Sequence, residues 1–110
     1  MMVPAYTFIE NLSEQIPEIP ADSIISRTVY SDDQIKTVLF GFAPGQELSE
    51  HTSAQAAVLY FVEGEARLTL GEAQMKARAG TWAHMAPRLA HRIYAETRLV
   101  MLLILLSSQP

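Results

Sequence analysis

At 110 residues and 49% apolar side chains, the chain has the size of one domain and enough apolar content for its own core. Eight basic against twelve acidic side chains leave a net charge of -4 and no basic patch to neutralise phosphates, so a small molecule or another protein is expected as partner and nucleic acid is not. Cysteine is absent, which excludes disulfides, thiolate ligands and a cysteine nucleophile together.

Met1-Met2-Val3-Pro4-Ala5-Tyr6 lacks the positive flank and apolar core of a signal peptide, and a cytoplasmic location is the resulting expectation. Thr7-Phe8-Ile9-Glu10 has the spacing of a capping box, and Phe8, Leu12 and Ile16 would share one face of a short helix ended by Pro17. With Pro20, Asp22 and Ser23 following, residues 1–23 read as an N-terminal extension and linker, irregular or helical. Ile24 to Tyr30 and Ile35 to Phe42 then read as strands around the turn Ser31-Asp32-Asp33, and Ala43-Pro44-Gly45 breaks the sheet. Ala56 to Val62 is apolar throughout, Glu63-Gly64 turns the chain, and Glu65 to Leu70 alternates polar with apolar, which makes the clearest hairpin. Further strands are expected at Ala73 to Arg78, Thr81 to Ala86, His91 to Glu96 and Leu99 to Leu106, leaving 107–110 as a tail. Eight or nine short strands with no helical pattern between them make residues 24–106 an all-β antiparallel sandwich or barrel.

Leu99 to Leu106 is the longest apolar run, less than half the roughly 20 residues of a membrane-spanning helix, so no membrane association is expected from it. It reads as a strand buried on both faces, the second face covered by another subunit, which points to a homodimer. A buried helix end is the competing reading of the same run.

His51 follows Gly45 by six positions and His91 follows Gly80 by eleven, so each stands at a fixed distance behind a turn glycine, either to meet the other across a barrel interior as a metal ligand or to sit as an ordinary histidine in an apolar pocket with no ion bound. If the strand stays regular, Glu47, Ser49, His51, Ser53, Gln55 and Ala57 share a face, which makes Gln55 and Glu47 candidate oxygen donors. The alternative for these two is a loop-facing amide and a solvated carboxylate. Ser53 is suited to hydrogen-bond a ligand or water rather than a metal. His84, in Thr81-Trp82-Ala83-His84-Met85, would add a third imidazole and an aromatic wall if it and Trp82 face inward, whereas a one-residue change of phase turns both outward. Leu59, Phe61, Ile93, Met101 and Leu103 are the side chains expected to line the interior, as pocket or as plain core.

Gly45-x5-His51-x-Ser53-x3-Ala57-x6-Gly64 resembles the first cupin motif, G-x5-H-x-H-x3-E-x6-G, with both glycines and the first histidine in register. Fifteen residues later Gly80-x5-Ala86-Pro87-Arg88-x2-His91-x3-Ala95 lies over the second, G-x5-P-x-G-x2-H-x3-N, keeping the opening glycine and the histidine. The stretch from Ile24 to Leu106 is similar to small single-domain bacterial cupins of the conserved-barrel, RmlC-like type, which implies a double-stranded antiparallel β-helix, or jelly-roll barrel. The resemblance also implies a divalent metal ion, such as zinc, iron, nickel or manganese, held by two histidines and a glutamate of motif one and a histidine of motif two. Here Ser53 and Ala57 stand at two of those four positions, so any site at His51 and His91 is partial, and small cupins of this kind commonly dimerise.

Three functional classes follow. A small-molecule-binding cupin fits the incomplete ligand set. A metal-dependent enzyme, a dioxygenase or isomerase acting on a small polar substrate, fits the family. A non-catalytic dimeric sensor or scaffold fits the apolar last strand and the lack of an evident base and nucleophile pair. The barrel alone does not rank them, because function lives in the site.

Overall fold

The computed structural model describes residues 5–107 and is built from nine strands and one short 3-10 turn. The start and end of the chain, which the leader and tail expectations concern, lie in part outside the described residues. The strands are β1 (Ile24–Ser31), β2 (Ile35–Phe42), β3 (Glu47–His51), β4 (Ala57–Glu63), β5 (Glu65–Leu70), β6 (Ala73–Arg78), β7 (Trp82–Met85), β8 (His91–Ala95) and β9 (Leu99–Leu106). They pair antiparallel into two sheets, one in the order β1-β2-β9-β4-β7 and the other β3-β8-β5-β6. The apolar residues of each alternation face the opposite sheet: Phe42, Leu59, Phe61, Met85, Leu99 and Met101 from the first meet Ala66, Leu68, Ala77, Ile93 and Ala95 from the second in one core.

Residues 7–16 do not form the helix expected from the capping-box spacing. The structure has only a 3-10 turn at Leu12–Gln15, whose N-cap is Asn11, its side chain accepting from the Ser13 amide at 3.0 Å. So short a segment gains too few hydrogen bonds to offset nucleation, and Pro17 stops its extension. Phe8 consequently stays 77% exposed, while Ile16 is buried.

That N-terminal segment covers part of the first sheet's outer face. Ile16 packs with Leu39 and Val100, flanked by Ile19, Ile25, Val29, Val62 and Leu102. Gly41 makes the approach possible, since a Cβ there would lie 2.8 Å from the Ile19 Cδ1 atom and 2.9 Å from Ile16 Cγ2. Arg98 clamps the segment by donating to the Ile16 carbonyl at 3.2 Å and pairing with Glu63, which also accepts from Ser13 Oγ at 3.0 Å. The last strand is therefore buried on both faces only over Leu99–Met101, with the chain's own N-terminal segment above Val100, while residues 102–106 are half-buried.

The β1–β2 turn is closed by Asp32, whose Oδ1 accepts from the amides of Gln34 and Ile35 and whose Oδ2 accepts from the Tyr30 hydroxyl at 2.6 Å. The Tyr30 hydrogen bond, then the two amides, lower the Asp32 pKa, and the same bond raises that of Tyr30. In Tyr30→Phe the Asp32 carboxyl is expected to titrate at higher pH than in the native chain, as followed by NMR of its side-chain carbon. No upward movement would show that the hydroxyl is not what depresses it.

Candidate functional site

β3 and β8 bring the two motifs together. They pair as Glu47↔Tyr94, Leu48↔Ile93 and His51↔His91, so the two histidine positions are direct cross-strand partners at the edge of the second sheet. On its other side His91 pairs with Leu70 of β5. The register shifts between Leu48 and His51, where β3 has one more residue than its partner.

This bulge overturns the regular parity expected for positions 47 to 57. Leu48, not Glu47, packs against the core, and Glu47 lies on the outer face with its carboxylate 3.8 Å from Arg92 Nε. A one-residue shift reverses the faces of everything beyond it. Glu47 is thus not brought to His91, which shares its strand face with Ile93 and Ala95.

His91 is 5% exposed, and its Nδ1 lies 3.1 Å from the Leu89 carbonyl oxygen. A carbonyl only accepts, so Nδ1 is the donor in this contact, which fixes the orientation of the ring. Two loops meet beside this histidine. The β3–β4 loop, residues 52–56, and the β7–β8 loop, residues 86–90, are tied by the Arg88 amide donating to the Ser53 carbonyl at 2.6 Å. Within the first loop Ser53 Oγ accepts from the Gln55 amide at 3.1 Å, and the Gln55 side chain donates to the Leu106 carbonyl at 3.3 Å. Both residues serve here as loop supports.

Ala57, at the position of the motif's carboxylate, is 1% exposed in the core and offers no donor atom. The usual four-ligand set therefore does not fit this chain. Among the described residues no group of three or more His, Cys, Asp or Glu side chains stands together to hold an ion. His84 and Trp82 take the outward of their two orientations: β7 pairs Val58↔His84 and Tyr60↔Trp82, its inward residues are Ala83 and Met85, and Trp82 is 62% exposed. His84 is thus not brought to His91. Leu59, Phe61, Ile93 and Met101 are fully buried members of the core, with Leu103 packed against it.

Arg88 was not among the residues the sequence singled out. It has a left-handed backbone, φ +68°, and occupies the place of the second motif's inner glycine. That mismatch was the available signal: a side chain where the frame calls for none.

A family model for the cupin domain matches residues 38–105. Solved structures with the same fold include a cupin superfamily protein from Desulfitobacterium hafniense, 24% identical, with a TM-score of 0.83 over 88% of each chain. A conserved protein of unknown function from Streptococcus pyogenes is 23% identical, with a TM-score of 0.82 over 99% of this chain and 93% of that one. An RmlC-like cupin from Shewanella frigidimarina is 19% identical, with a TM-score of 0.77 over 97% and 94%. At these identities the likeness is one of fold. A search of curated proteins found no relative.

Proposed function

Since the chain belongs to the cupin family, we propose that it is a small-molecule-binding cupin whose ligand enters at the loops beside His51 and His91, with a weak, partial metal site formed by the two imidazoles. The single observation behind this reading is the cross-strand pairing of positions 51 and 91. Directly opposite residues of an antiparallel pair have Cβ atoms about 4.5–5.5 Å apart, close enough for two imidazoles to share an ion or a polar ligand group. The missing donors at positions 53 and 57 weigh toward binding and against conventional metal catalysis, because two neutral ligands leave the sphere dependent on water or on the ligand itself. Zinc or nickel titration by calorimetry tests the reading. Binding weaker than about micromolar, or about 8 kcal/mol, is expected, well short of the roughly 10–16 kcal/mol of a full structural zinc site. Tight stoichiometric binding would instead support the metalloenzyme reading.

The same proposal includes a homodimer in the cytoplasm. No helix among the described residues is long and apolar enough to cross a membrane. The first sheet leaves Tyr60 38% and Trp82 62% exposed on its outer face, beside the half-buried Val58, Leu102 and Ile104. A second copy packed there would need to bury about 1,000 Å² or more in total. Light scattering at micromolar concentration is expected to give the mass of two chains for the native protein and of one for Trp82→Asp, a change that an exposed residue tolerates within the fold. A native monomer would end this part of the proposal.

A further inference from the structure

We infer that Arg88 is the anion-recognising residue of this loop mouth and that the ligand bound there carries a carboxylate. The inference rests on the proposed binding role of the site and adds to it the ligand's charge and the residue that reads it. Arg88 lies three residues before His91, in the loop tied to the 52–56 loop through the Ser53 carbonyl. Its φ of +68° is a conformation that glycine adopts freely and an L residue only under strain. A glycine would satisfy the turn at no such cost, and the second motif places one there. The strained position therefore holds a long cationic side chain that the turn does not require.

The charges around it sharpen the point. Arg92, next to His91 on β8, is engaged by Glu47 and Glu50 at 3.8 and 3.6 Å. Among the described residues no carboxylate pairs with Arg88, nor with Arg27, Lys36 or Arg78, but those three lie on β1, β2 and β6, and of the four only the exposed Arg88 stands in the loop that leads into His91. In a chain of net charge -4, an uncompensated guanidinium at the loop mouth is the local feature that would attract an anion. The planar fork of a guanidinium matches a carboxylate with two parallel hydrogen bonds, which a lysine cannot reproduce. One carboxylate at Arg88 would leave the rest of a short ligand within reach of the histidine positions.

The test uses the full native chain, labelled with ¹⁵N and titrated at constant ionic strength with acetate, lactate and succinate, and with acetamide, lactamide and succinamide as neutral counterparts. At least one carboxylate is expected to shift the amide signals of residues 53, 86 and 88–91 and to bind at least ten times more tightly than its amide. Arg88→Gly should weaken that carboxylate at least tenfold while raising the melting temperature, because the strain is relieved. Arg88→Gln, which keeps the length without the charge, should lose binding as fully, and Arg88→Lys should fall between. Equal affinity for acids and amides, no carboxylate binding at all, or binding indifferent to Arg88→Gly and Arg88→Gln would overturn the inference. His51→Ala and His91→Ala separate it from the reading beneath it. Carboxylate binding lost with Arg88 but unchanged in both histidine variants would uphold the anion site and remove the histidines from the function. Zinc binding that needs the histidines, with carboxylate affinity indifferent to Arg88, would do the reverse.

Discussion

His91→Ala is expected to lose zinc or nickel binding by at least about 100-fold while the barrel stays folded. With position 57 an alanine and position 53 a serine engaged in its own loop, the two histidines are the donors left from the family's set, so removing one leaves a single imidazole. Removal of an outer partner of a metal ligand alone commonly costs 10- to 100-fold, which makes that a lower bound for losing the ligand itself. The fold pays a smaller penalty. The buried His91 ring donates from Nδ1 to the Leu89 carbonyl at 3.1 Å, and losing that donor costs about 1–3 kcal/mol. His51→Ala should show the same loss of metal. Titration calorimetry read beside urea denaturation decides the matter: metal affinity unchanged in either folded variant would place the ion elsewhere. Metal binding should also weaken in acid, because a protonated imidazole has no lone pair to give.

Gly64→Ala is expected to destabilise the protein by more than about 3 kcal/mol, above the roughly 0.5–3 kcal/mol that most single substitutions cost. Gly64 turns β4 into β5 with φ +93°, and a Cβ built on it would lie 2.1 Å from the Arg98 carbonyl oxygen and 3.0 Å from the Leu99 Cα. These are backbone atoms, so the clash is relieved only by moving the start of β9, whose Leu99 and Val100 are fully buried. Gly80→Ala is the matched comparison. Its φ is +95°, but nothing lies within 4 Å of the added Cβ, so it should cost only the left-handed conformation, about 1–2 kcal/mol. Urea midpoints compared at equal m-values measure the difference. Gly64→Ala no worse than Gly80→Ala would show that the crossing of the turn over β9 is not a constraint.

The strand plan was legible wherever glycine, proline and alternation agreed. β2, β5, β6 and β9 run over the expected residues, 35–42, 65–70, 73–78 and 99–106, because turn residues bound them and because β5 and β6 alternate polar with apolar while β9 is an unbroken apolar run. The cupin frame was legible because its glycines mark turns that demand positive φ, as Gly45, Gly64 and Gly80 all show. What escaped were differences of a single residue. The bulge before His51 leaves no trace in an alternation of Glu47, Leu48, Ser49 and Glu50, yet it sends Leu48 inward and Glu47 out. Four-residue β7 offers Trp82, Ala83 and Met85 with no clear polar face, so its phase is set by pairing with β4 rather than by its own pattern. The N-terminal segment misled through a capping-box spacing, while its actual role is set by contacts far along the chain, such as Ile16 with Arg98.

The strand order has a consequence for synthesis on the ribosome. β9, the last of the nine strands to be made, enters the middle of the first sheet, between β2 and β4. Until it emerges, β2 and β4 each lack a partner on that edge, and Leu39 and Phe61 have no Val100 or Met101 to pack against. The hairpins β1–β2 and β5–β6 need only local pairing and form early, but closure joins Ile35 to Leu106 across most of the chain. A nascent chain stalled before residue 99 therefore displays two open, apolar strand edges, the kind of surface that chaperones capture and that aggregates when they do not.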